Sequence, residues 1–115
     1  MKVLIIDDEP LIRRSLLRAF KSKGYDVFEA ENGFQGIDLW RKEKPDLVYL
    51  DILMPGMTGF MVLEKLGSAR TGKVVLISAY SEEDKEKEGL ADLFIKKPFE
   101  DIFQVVQQGE GLVKK

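Results

Sequence analysis

Leu47-Val48-Tyr49-Leu50 runs straight into Asp51, and Met54-Pro55-Gly56 turns the chain a few residues later. Four consecutive apolar side chains leave no polar face for solvent, so the run reads as a strand buried on both sides. Its end is a chain reversal. Asp51 therefore stands at the carboxyl edge of the strand, where open α/β sheets place their chemistry. Taken alone, Asp51 fits a turn-capping carboxylate equally well. The other strand ends distinguish the two readings.

Val3-Leu4-Ile5-Ile6 is a second apolar run, closed by Asp7-Asp8-Glu9. Pro10 suits a helix first turn, where its missing N–H is no loss. Ile12, Leu16, Ala19 and Phe20 recur at helical spacing, with Arg13, Arg14 and Arg18 elsewhere on the cylinder, and Lys23-Gly24 closes the helix. Tyr25 to Ala30 alternates apolar and polar residues, as a strand at or near a sheet edge does. After the Asn32-Gly33 turn, Phe34, Ile37 and Trp40 or Arg41 form the next helical face. Phe60 to Leu66 predicts a third helix with Met61, Val62 and Leu66 available for burial, and Val74 to Ile77 a strand ending in Ser78-Ala79. The eight residues Ser81 to Glu88 hold no apolar side chain, so the fourth helix expected there has nothing of its own to bury. Leu90 to Ile95 is the last strand, Ile102, Phe103, Val105 and Val106 mark a last helix, and Gly109 and Gly111 suggest a loosened basic tail. Strands alternating with short helices require right-handed crossovers and a parallel sheet covered on both faces. The reading is one α/β domain over residues 1–115: a doubly wound, five-stranded parallel sheet of order 2-1-3-4-5, with five helices and the second strand at an edge.

Composition narrows the chemistry. The 115 residues include no cysteine and no histidine, which removes disulfides, thiolate or imidazole metal sites, and Ser-His or Cys-His catalysis. A net charge of -2 argues against a general nucleic-acid or membrane binder, and no stretch approaches the roughly 20 apolar residues of a membrane span. Met1-Lys2-Val3 enters an apolar run without a signal-peptide pattern, so a cytoplasmic location is expected.

In a parallel sheet the strand ends Asp7-Asp8, Asp51, Ser78 and Lys96-Lys97-Pro98 lie along one edge. Three converging carboxylates repel unless one is protonated or a cation neutralises them. All-oxygen ligation suits a hard cation, with Mg²⁺ the natural candidate and Mn²⁺ a possible substitute. A carboxylate beside such a cation, faced by an ammonium and a hydroxyl, is a good acceptor for a phosphoryl group.

Asp7-Asp8, the run Asp51-Ile52-Leu53-Met54-Pro55 with Gly59 beyond it, Ser78-Ala79 and Lys97-Pro98 resemble the receiver domain of two-component response regulators. The similarity covers nearly the whole chain, with four separated motifs in the right order. It implies a flavodoxin-like fold without an output domain, and Asp51 as phosphoacceptor. Asp8 would ligate Mg²⁺ directly and Asp7 through water, with Asp51 and the backbone carbonyl of Leu53 completing the protein ligands. Lys97 would bind one phosphoryl oxygen and Ser78 another, and Phe94 occupies the aromatic switch position. The Lys97-Pro98 bond is similar to one that the family keeps cis. Leu53 and Tyr80, both bulky, would flank the site and slow hydrolysis. The implied partners are a histidine kinase or histidine phosphotransfer protein and a downstream protein bound through the fourth helix, fifth strand and fifth helix. The domain is expected to be a monomer or weak dimer, without direct nucleic-acid contact or membrane insertion, and not an enzyme beyond assisting its own phosphorylation and dephosphorylation.

Two departures qualify the likeness: the Ser78–Lys97 segment is about one helical turn short (roughly 3 to 4 residues), and Ser81 to Glu88 lacks apolar anchors. Three alternatives remain. A receiver-like interaction module that no longer signals by phosphate would need none of these site residues. An aspartate-nucleophile phosphatase usually carries a second carboxylate two residues after its nucleophile, where this chain has Leu53. A flavin binder would need a phosphate-cradling loop after the first strand, where Asp7-Asp8-Glu9 repels one.

Overall fold

The structure, a computed structural model, describes residues 1–79 and 91–114. In chain order it forms β1 (Lys2–Ile6), α1 (Pro10–Lys21), β2 (Asp26–Ala30), α2 (Gly33–Glu43), β3 (Leu47–Asp51), α3 (Gly59–Leu66), β4 (Lys73–Ser78), β5 (Leu93–Lys96) and a C-terminal helix (Ile102–Val113). Every strand pairing is parallel and the order is β2-β1-β3-β4-β5, the predicted topology with β2 at an edge. The expected fourth helix over 81–88 and the flanking Tyr80 lie outside the described residues.

The period-two geometry of strands sorts the core into two layers. Leu4, Ile6, Val48, Leu50, Val74 and Leu76 face one cluster with Ile37, Trp40, Phe60 and Val62 of α2 and α3. Val3, Ile5, Leu47, Tyr49, Val75 and Ile77 face the other with Leu16 and Phe20 of α1 and Val105 and Val106 of the C-terminal helix. The unbroken apolar runs thus serve two faces at once. Capping follows the sequence: Asn32 accepts from Gln35 N at 2.9 Å, and Thr58 from Met61 N at 3.2 Å. Among the described residues, no helix is long and apolar enough to cross a membrane.

Several local expectations are corrected. Gly109 and Gly111 do not loosen the tail, because the helix continues to Val113. Gly109 passes directly over the ring of Tyr49, so close that a Cβ there would collide with the phenol oxygen, and Tyr49 Oη donates to the carbonyl of Val105. Leu112 and Val113 then pack on the same core layer, which repays the low helix propensity of two glycines. Arg13 is buried rather than solvent-facing. On α3, Phe60 and Leu63 join Val62 and Leu66 in the core while Met61 is exposed, and on α2 Phe34 is 61 % exposed while Ile37 and Trp40 are buried. Of the strand expected from Leu90 to Ile95, Leu90 lies outside the described residues; the strand observed is Leu93–Lys96, and Asp92 precedes it with a carboxylate that accepts from Val74 N at 2.8 Å.

Candidate functional site

Strand register brings the polar strand ends to one edge of the sheet. Ile6 pairs with Leu50, Asp51 with Ile77, and Ser78 with Lys96, so the residues at or just past those pairs sit side by side. Asp51 ends β3 and is 2 % exposed, because Ile52 beyond it still packs into the core. The loop returns tightly: Gly59 N donates to Ile52 O at 2.9 Å, and a Cβ on Gly59 would meet Asp51 O at 2.5 Å. That contact explains why a glycine opens α3.

One carboxylate oxygen from each of Asp7, Asp8 and Asp51 lies within 4.8 Å of the others. Lys97 Nζ is 2.7 Å from Asp7 Oδ2 and 3.4 Å from Asp51 Oδ2. Its distance to Glu9 Oε1 is also 2.7 Å. Asp7 Oδ1 accepts from Glu9 N at 2.8 Å, whereas the buried Oδ2 has the lysine at ion-pair distance but no partner of hydrogen-bond geometry. Asp51 Oδ1 accepts a long bond from Leu53 N at 3.3 Å. Burial, and then the charge of Asp7, push the Asp51 carboxyl up to about 8, against a smaller lowering by Lys97. Burial also raises Asp7, despite the lysine ammonium beside it. Lys97 is itself held above its ordinary value: burial works the other way, but the contacts with Asp7 and Glu9 outweigh it. Three converging carboxylates, two of them buried and one half-buried, with a buried oxygen short of a donor, fit a hard divalent cation.

The remaining predicted residues fall around this cluster. Ser78 is fully buried at the end of β4, one position past the partner of Asp51, and its carbonyl accepts from Lys97 N at 2.9 Å. Phe94 pairs with Leu76 and is partly buried against the α2–α3 core layer. Leu53 is 52 % exposed at the mouth of the site. The Lys97-Pro98 peptide is cis.

Two neighbours of the site were not singled out from the sequence. Arg13 is buried and donates to Asp7 O at 2.9 Å and to Glu29 Oε1 at 3.2 Å, which fastens the chain just where the acidic pair begins. Its spacing to Leu16 and Phe20 already places it on the buried stripe of α1, and only its charge pointed outward. Glu9 is joined to Lys97 across 88 positions of sequence, a contact that local pattern cannot reveal.

Fold and edge together define a doubly wound α/β domain with an acidic, lysine-bearing site at its topological switch point. Residues 3–107 match the profile of the response regulator receiver domain, and the chain belongs to that family. It is 40 % identical over 103 residues to sporulation initiation phosphotransferase F of Bacillus subtilis, covering 86 % of this chain and 83 % of that protein. It is 37 % identical to the probable transcriptional regulator ycf27 of Porphyridium aerugineum, over 85 % of this chain but only 42 % of that longer protein. Among solved structures, the response regulator TrrA of Thermotoga maritima, in complex with Mg(2+)-BeF, superposes with a TM-score of 0.84 at 31 % identity, covering 96 % of this chain and 97 % of that one. Receiver domains are signalling domains rather than conventional enzymes. They bind Mg²⁺ through acidic residues, and they work with histidine kinases or phosphotransfer proteins and downstream effectors.

Proposed function

We propose that this chain accepts a phosphoryl group on Asp51 from a phosphohistidine of a kinase or phosphotransfer protein, and that the change in its surface controls a downstream protein. The observation that carries the proposal is the buried Asp51 carboxylate, set among the oxygens of Asp7 and Asp8 with Lys97 Nζ 3.4 Å away. The bond from an Asp51 oxygen to phosphorus forms as the phosphorus–nitrogen bond breaks, and the bonding pair of the latter leaves with the imidazole. Asp7, Asp8, Asp51 and the carbonyl of Leu53 are the residues that would hold Mg²⁺. When bound, the ion supplies positive charge to the phosphoryl oxygens and lets Asp51 act as a carboxylate. Lys97 gives a second positive charge at the same place without a proton transfer.

After transfer, the acyl phosphate carries about -1.5 to -2 charges in place of the single charge of the carboxylate. In this reading the Ser78 hydroxyl turns to a phosphoryl oxygen, Phe94 follows, and the surface formed by β5 and the C-terminal helix changes shape. The similarity to a phosphotransferase and to a receiver solved with Mg(2+)-BeF supports the reading. The test is intact-mass analysis after incubation with acetyl phosphate and Mg²⁺. One phosphoryl adduct is expected, absent in Asp51→Asn. No adduct from acetyl phosphate or from any kinase would favour an interaction module instead.

A further inference from the structure

Lys97 has more anionic partners than phosphoryl transfer requires. Its ammonium lies 2.7 Å from Asp7 Oδ2, 2.7 Å from Glu9 Oε1 and 3.4 Å from Asp51 Oδ2. An ammonium carries three N–H donors; here one is hydrogen-bonded to Glu9, while Asp7 and Asp51 lie at ion-pair distance. A phosphoryl oxygen arriving at Asp51 competes with these carboxylates for the ammonium, and most directly with the one that is hydrogen-bonded to it.

The carboxylates are not equally free to do so. Asp7 is fully buried and its Oδ2 relies on the ammonium for compensation. In the metal-free protein, losing that contact would strand a charge without solvent. Glu9 has a side chain 56 % exposed, so water replaces the ammonium at little cost. Its backbone meanwhile is fixed. Glu9 N donates to Asp7 Oδ1 at 2.8 Å, Glu9 O accepts from Arg13 N at 3.0 Å, and Pro10 opens α1 immediately afterwards. The side chain is thus presented to Lys97 from a rigid stem, with freedom only at its solvent end.

We propose that Glu9 stands in for the phosphoryl group in the unphosphorylated protein. It holds one N–H of Lys97 over the acidic cluster, and the incoming phosphoryl oxygen displaces it into solvent. No covalent bond changes in this exchange: one N–H···O contact replaces another, and the released carboxylate is hydrated. Glu9 touches neither donor nor acceptor atoms and acts through Lys97, which makes it a positioning residue. The inference rests on Asp51 being the acceptor. Because the ion pair must break on the way to the phosphorylated state, Glu9 is a brake on phosphorylation.

The test compares wild type, Glu9→Gln and Glu9→Asp with acetyl phosphate at saturating Mg²⁺, following adduct formation by intact mass. Glu9→Gln is expected to accelerate it about two- to fivefold, the range set by one exposed ion pair. Glu9→Asp keeps the charge but shortens the reach, so contact with Lys97 predicts that it behaves like Glu9→Gln. In the metal-free proteins, the ¹⁵N-detected ammonium resonance of Lys97 should shift in both variants. A Glu9→Gln rate equal to or below wild type overturns the proposal. So does a Glu9→Asp variant indistinguishable from wild type in rate and resonance, since only the field of the charge would then matter. If wild type itself forms no adduct, the assignment of Asp51 fails and the proposal fails with it.

Discussion

Asp51→Asn should make the metal-free protein more stable, although it removes the residue on which the site depends. Asp51 is 2 % exposed, so its ionised form gives up hydration that the fold does not fully replace. The neighbouring charge of Asp7 adds repulsion, and the two effects lift the carboxyl from 3.8 to about 8. The folded state thus keeps a proton that the unfolded chain has already released. Stability falls as pH rises from near 3.8 towards 8, and the penalty is absent below that window. At about 1.4 kcal/mol per pKa unit, the ceiling at neutral pH is roughly 4 kcal/mol. Local relaxation, water entry and the burial cost that a carboxamide retains reduce the expected gain to about 1–3 kcal/mol. In a domain of this size that is a rise of roughly 3–10 °C in Tm. Melts followed by circular dichroism in chelator, at pH 5 and pH 7.5, measure it directly. The gain should be small at the lower pH and larger at the higher. Adding Mg²⁺ should narrow the gap, because the ion binds the intact cluster preferentially. An Asp51→Asn protein that melts below wild type at both pH values, or a gain that ignores pH, would refute the reasoning.

Gly109→Ala should destabilise the fold by about 1–3 kcal/mol, since the new methyl collides with Tyr49; urea titration gives the value, and no change would mean that the helix is free to shift. Glu110 is nearly buried, which by itself would raise its carboxyl, yet hydrogen bonds from Lys23 and Tyr25 hold it below its ordinary 4.5. Glu110→Gln should therefore cost about 1 kcal/mol at neutral pH and progressively less as the pH falls through and below that value, as urea midpoints across the range will report. Arg13→Leu should cost about 1–3 kcal/mol by taking the donor from Asp7 O, and it should also weaken Mg²⁺ binding measured by calorimetry; unchanged affinity would confine Arg13 to a structural role. The acyl phosphate should outlast a free one in water, and Leu53→Gly should shorten its life severalfold by opening the mouth of the site to water. Equal lifetimes in the two proteins would dismiss that shield.

The fold was legible because its evidence is local. Val3–Ile6, Leu47–Leu50 and Val74–Ile77 are each too uniformly apolar for anything but a doubly covered strand, and their polar ends then meet by topology alone. The meeting of Asp7, Asp8, Asp51, Ser78 and Lys97 at one edge of the sheet was legible for the same reason. What escaped depends on contacts between distant segments. Gly109 resembles a helix breaker until Tyr49 is seen beneath it, and Arg13 resembles a solvent residue until the Asp7 carbonyl and Glu29 are found beside it. Glu9 resembles a third acid of the same turn until its exposed side chain is found against Lys97. Charge and propensity describe a side chain's cost in isolation, and these three are placed by the partner that offsets it.

The central claim is that Asp51 is the residue that carries phosphate. Treating the phosphorylated protein with borohydride reduces the acyl phosphate to an alcohol, which marks the modified carboxyl permanently for peptide mapping. The account predicts homoserine at position 51 alone, formed only when both Mg²⁺ and the phosphodonor are present. A mark on Asp7 or Asp8, or no reduced residue in a protein that has taken up phosphate, would contradict it.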